Sequence, residues 1–78
     1  MIRNYKLFKV NDRNQEKLVK IFPNIQEATL KIRNILGLRE FQKCSFKQLY
    51  DGVAVIAWEC KKDGKDIFRI RKELIYDE

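Results

Sequence analysis

Histidine is absent from the 78 residues, which removes the commonest general base and the commonest neutral metal ligand. No Ser–His–Asp or Cys–His arrangement can therefore form within the chain. The two cysteines, Cys44 and Cys60, lack the paired spacing of a zinc site and predict reduced structural thiols. One proline and three glycines leave no flexible linker and no glycine-rich phosphate loop. No apolar run approaches the length of a membrane span, and the Met1–Tyr5 start lacks the apolar stretch of a secretory leader. These absences predict a cytoplasmic, non-enzymatic domain with no cofactor, no metal, no membrane association and no small-molecule substrate.

What is present is a globular composition, with 45% hydrophobic and 36% charged residues, of a length that suits one domain spanning 1–78. The net charge of +6 is lopsided. Residues 1–38 hold eight basic and three acidic side chains, whereas residues 39–78 hold nine and eight. A one-sided positive field suits nucleic acid or an acidic protein surface, although solubility alone also accounts for it.

Alternation over Tyr5–Val10 and Glu16–Phe22 predicts two strands around a polar turn at 11–15. Placing Phe8 opposite Leu18 sets Tyr5 against Ile21 and Leu7 against Val19 on a core face. It sets Lys6 against Lys20 on the other face, beside Phe8 and Leu18. Pro23 ends the second strand. Asn24 with Glu27 is a variant capping box, and Ile25, Ala28, Ile32, Ile35 and Leu36 share one side of a helix ending at Gly37. Leu30 falls on the opposite side.

Ser45-Phe46-Lys47-Gln48 is a second capping-box pattern and predicts a short helix before Gly52. Val53–Lys61 and Ile67–Arg71 predict two final strands. A three-residue Lys62-Asp63-Gly64 loop is expected, because it pairs Trp58 with Phe68 and Ile56 with Ile70 and so buries like with like. A two-residue loop would instead set Trp58 against Arg69. The expected class is therefore α+β: a small antiparallel sheet in the order strand–strand–helix–short helix–strand–strand, with the helix packed on one face.

The basic residues form the candidate site. Lys6, Phe8 and Lys20 share the expected non-core face of the first hairpin, and Lys9, Arg13 and Lys17 surround its turn. Arg69 and Arg71 alternate with apolar residues on the last strand and extend the same surface if it lies nearby. Cationic groups neutralise phosphates, and an exposed ring stacks on a base. Lysine on a strand face is also ordinary solvation, and the two arginines could pair with Glu59 or the acidic tail.

The run Phe22-Pro23-Asn24-Ile25-Gln26-Glu27-Ala28 after a short hairpin resembles the nuclease-associated modular domains found beside homing endonucleases. In those domains a strand pair leads into a Phe-x-Ser-Ile-x-Glu-Ala helix. The likeness spans residues 5–38, with Asn24 in place of Ser, and the motif is also similar to stretches of small phage and mobile-element proteins. Tyr50-Asp51-Gly52 and Trp58 are loosely similar to the family's second helix, glycine and tryptophan, at a different spacing. The resemblance implies DNA binding. The reading drawn from residues and resemblance together is a small nucleic-acid-binding module. The alternative is a phage-type inhibitor or accessory protein that docks on a host protein through Phe8, Leu18, Leu30 or Tyr76. A homodimer through an unpaired edge strand is a further option.

Overall fold

A computed structural model describes residues 2–75, with side chains described for residues 3–74. Five antiparallel strands form one sheet: β1 (Ile2–Val10), β2 (Glu16–Phe22), β3 (Ser45–Asp51), β4 (Ala54–Lys62) and β5 (Lys65–Ile75). Their spatial order is β2-β1-β5-β4-β3. Two helices, α1 (Ile25–Leu36) and α2 (Leu38–Phe41), separate β2 from β3.

This is a mainly-β fold and corrects the α+β expectation. Strands of 7 to 11 residues dominate, against helices of 12 and 4. The expected helix at 45–52 is a strand. Ser45–Asp51 alternates Phe46, Gln48 and Tyr50 against Lys47 and Leu49, and pairing with β4 satisfies its backbone. That ladder outweighs a capping pattern worth about 1 kcal/mol. A fifth strand therefore stands where the resemblance implied a helix.

α1 forms as its caps predict. The Asn24 side chain accepts a hydrogen bond from the Glu27 N–H at 2.8 Å, and Gly37, at φ 82°, donates its N–H to the Arg33 carbonyl. The helix packs chiefly on β1 and β2. Ala28 and Ile32 are fully buried against Tyr5, Leu7, Phe22, Cys60, Phe68 and Ile70. Ile35, expected to face inward, is exposed.

The five-residue turn after β1 is held by Asn11, whose side-chain oxygen accepts from the N–H groups of Arg13 and Gln15. The later hairpin uses a two-residue turn, because Lys62 pairs with Lys65 and both Asp63 (φ 53°) and Gly64 (φ 76°) have positive φ. That is a type I′ turn, which matches strand twist better than the three-residue loop expected from sequence. A bulge at Ile67 then shifts the register, so Trp58 faces Ile70 and Cys60 faces Phe68. Apolar groups still meet apolar groups, offset by two residues from the expected pairs. Trp58 is half-buried at the edge of the core, its ring 5.8 Å from that of Tyr5.

Candidate nucleic-acid interface

The register of the first hairpin decides where its cations lie. Phe8 does face Leu18, Lys9 faces Lys17 and Val10 faces Glu16. A bulge at Val19 then adds one residue to β2, so Leu7 faces Lys20 and Lys6 faces Ile21. Facing residues of an antiparallel pair share a side of the sheet. Lys20 therefore joins Leu7 and Phe22 on the face that carries α1, while Lys6 lies on the open face. The expected patch with Lys6 and Lys20 side by side does not exist.

The open face is a neutralised lattice. Lys6 bridges to Glu73 at 2.5 Å. Arg69 binds Asp66 at 2.8 Å and Glu16 at 3.0 Å, and Arg71 donates to Glu16 at 2.9 Å. Lys61 completes the row on Asp66 at 2.6 Å. The Arg71 hydrogen bond, helped by Arg69 and opposed by burial, holds the Glu16 carboxyl below its ordinary range. Burial raises Asp66, but the hydrogen bonds from Lys61 and Arg69 outweigh it and the net direction is down. Phe8 is half-buried beneath the Arg71 guanidinium, 4.1 Å from the ring centre. A base could stack there only by displacing Arg71.

Sequence reasoning offered Glu59 or the acidic tail to the arginines and, although it put Glu16 on the second strand, gave no reason to bring that strand near the last one. Glu16, Asp66 and Glu73 all lie on strands, where alternation aims them at the cations beside them.

The opposite face is the reverse case. Lys9 and Lys17 sit directly opposite each other, and Lys20 follows on the same face with its ammonium 5.6 Å from the Phe22 ring centre. Arg13 is exposed in the adjoining turn. Lys20 also lines a groove between β2 and α1 with Ile21, Glu27, Leu30 and Lys31. Lys31 was not singled out from sequence, although it lies on the polar side of the α1 pattern. Among the described residues, none of Lys9, Arg13, Lys17, Lys20 and Lys31 has an ion-pair partner. Four of the eight residues expected to form the site are thus brought to one end of the sheet, and Lys6, Phe8, Arg69 and Arg71 are held in the lattice on the other side.

Among the described residues no group of three or more acidic, cysteine or histidine side chains is placed to hold a metal ion, and no helix is long and apolar enough to cross a membrane. Comparison with family models, curated proteins and solved structures finds no match to the chain.

Proposed function

We propose that this chain is a non-enzymatic module that binds a nucleic-acid backbone along the helix-bearing side of its N-terminal hairpin, through Lys9, Lys17 and Lys20 with Arg13 and Lys31 at the margins. One observation carries the reading. Lys9 and Lys17 stand face to face with no acidic partner among the described residues, and the one acid on the strands of that hairpin, Glu16, is bound to Arg69 and Arg71 on the other face. Like charges set opposite each other cost stability. A phosphate between them would turn that repulsion into attraction and release counterions.

The test is titration of a short mixed-sequence oligonucleotide at rising salt. Affinity falls steeply between about 50 and 200 mM salt if several phosphates are contacted. Charge reversal at Lys9, Lys17 and Lys20 weakens binding, whereas Lys6→Gln, on the far face, leaves it unchanged. No binding by the wild-type chain at low salt overturns the proposal, as does equal loss from the Lys6 variant.

A second reading, docking on a protein partner, is supported by the outer strand β2. Leu18 is 48% exposed and Ile21 43%, and Leu30 of α1 is 46% exposed in the groove beside Ile21. Phe8 does not contribute to such a surface, and Tyr76 lies outside the described residues. Recovery of one stoichiometric protein in a nuclease-insensitive pull-down, lost on Ile21→Asp, would favour this reading over the first.

A further inference from the structure

The two edges of the sheet differ, and the difference points to a use for β3. β2 carries the features that discourage strand pairing: Lys17 and Lys20, and a bulge at Val19 that breaks its line. Registers that face Lys17 with Lys20 of a second β2 set lysine against lysine. β3 is less defended: it carries a single lysine, Lys47, balanced on the same strand by Asp51. It runs without an inserted residue of its own, because the irregularity opposite Leu49 and Tyr50 is an extra residue, Ile56, in β4. α1 packs on β1 and β2 at the other side of the sheet, and near β3 the Phe41 ring of α2 lies 5.9 Å from that of Phe46. Phe46 remains 38% exposed and Tyr50 57% exposed on that face.

We infer that β3 is a homodimer edge, pairing antiparallel with β3 of a second copy about a two-fold axis at Gln48. The sequence of β3 is self-complementary in this register. Phe46 meets Tyr50 of the second copy and Tyr50 meets its Phe46, so both exposed rings gain an aromatic cross-strand partner. Gln48 meets its own counterpart, where two amides can exchange hydrogen bonds. On the opposite face Lys47 lies diagonal to Asp51 of the second copy, so each strand brings one cation and one anion and the pair carries no net repulsion. All seven residues of β3 pair. A shift of the axis to Lys47 sets like charges face to face, and a shift to Leu49 leaves Phe46 beyond the end of the ladder. The product is a continuous ten-stranded sheet, within the usual range for open sheets. This inference is independent of the nucleic-acid reading, which uses the other edge.

Sedimentation equilibrium on the full chain, carried to millimolar protein, tests it. The expected result is a concentration-dependent rise from the 9.4 kDa monomer to twice that mass. Tyr50→Lys returns the chain to monomer with an unchanged circular dichroism spectrum, and Val19→Lys on β2 leaves the dimer intact. Introduced cysteines then read the register: under mild oxidation Gln48→Cys gives a covalent dimer in high yield, and Lys47→Cys and Leu49→Cys do not. A wild-type chain that stays monomeric throughout, a dimer indifferent to Tyr50→Lys, or preferential cross-linking through Leu49→Cys would each overturn the inference.

Discussion

Glu16, at the start of β2, reaches over β1 to Arg71 on β5, with Nη1–Oε2 at 2.9 Å, and the same carboxylate holds Arg69 at 3.0 Å. Two strands that do not pair, β2 and β5, are thereby tied across β1 by one side chain, and the guanidinium it steadies is the one that covers Phe8. Glu16→Ala is expected to lower stability by about 1–2 kcal/mol, below the range for a fully buried pair because Arg71 is half exposed to solvent screening. Denaturant unfolding checks this, with Glu27→Ala unsuitable as a control because Glu27 belongs to the α1 cap. An unchanged midpoint would show that the lattice contributes nothing.

The same carboxylates set the acid limit. Hydrogen bonding to Arg71 holds Glu16 below its ordinary 4.5, Asp66 is lowered as well, and Glu40 of α2 is lowered by its hydrogen bond from Lys62 on β4. A folded-state value below the unfolded one means the folded chain binds fewer protons over that interval. Stability from these groups is therefore fully present above the ordinary carboxylate range and is lost as pH falls through the lowered values. Thermal midpoints recorded downward from neutral pH should stay flat and then drop below about pH 4.5. Glu16→Gln should make that drop shallower. A midpoint that rises on acidification contradicts the assignment.

Gly64 occupies the second position of the type I′ turn at φ +76°, and a Cβ there would meet no atom within 4 Å. The cost of Gly64→Ala is then backbone strain alone, about 1–2 kcal/mol. Asp63→Asn, at φ 53°, should be neutral because Asn tolerates the left-handed region equally well. Equilibrium unfolding of both variants tests the turn type. A neutral Gly64→Ala would indicate a different loop.

How much of this was legible in the sequence follows from how local each signal is. The α1 caps at Asn24 and Gly37, the polar turn at 11–15 and the pairing of Phe8 with Leu18 are short-range and read correctly. The bulges at Val19 and Ile67 are not, since each inserts one residue where the partner strand demands it. One inserted residue moves Lys20 to the other face, and with it the candidate site. β3 was misread because Ser45 and Gln48 fit a capping box as well as a strand, and only the presence of β4 decides between them. The open-face lattice depends on β5 lying beside β1, a long-range adjacency that no local pattern encodes.

Cys44 and Cys60 are both free; Cys60 lies in the core and Cys44 packs against that core from its edge. Burial, with the neighbouring Cys44 thiol adding to it, pushes the Cys60 thiol up to about 12. Cys44 is half-buried and donates weakly to the Glu40 carbonyl at 3.4 Å. Because the thiolate is the reacting species, Cys44 should alkylate first in native buffer and Cys60 only as the domain opens. Peptide mass spectrometry of timed samples resolves the two sites. Equal rates under native conditions would mean that Cys60 is not held in the core.

Lys17 offers a test in which fold and function move in opposite directions. Its side chain faces Lys9 across the β1–β2 ladder, so Lys17→Glu replaces a repulsive pair with an attractive one. Cross-strand pairs of this kind are worth about 0.2–1 kcal/mol, and the variant should be more stable than the parent by an amount in that range. If the two lysines are kept together for a phosphate, the same change should weaken oligonucleotide binding and lower the slope of log affinity against log salt by about one or more. Measuring thermal stability and salt-dependent affinity on one preparation separates a binding surface from simple solvation. A variant that gains stability while keeping its affinity and salt slope would leave Lys17 as a solvating residue, and the proposed interface would lose its centre.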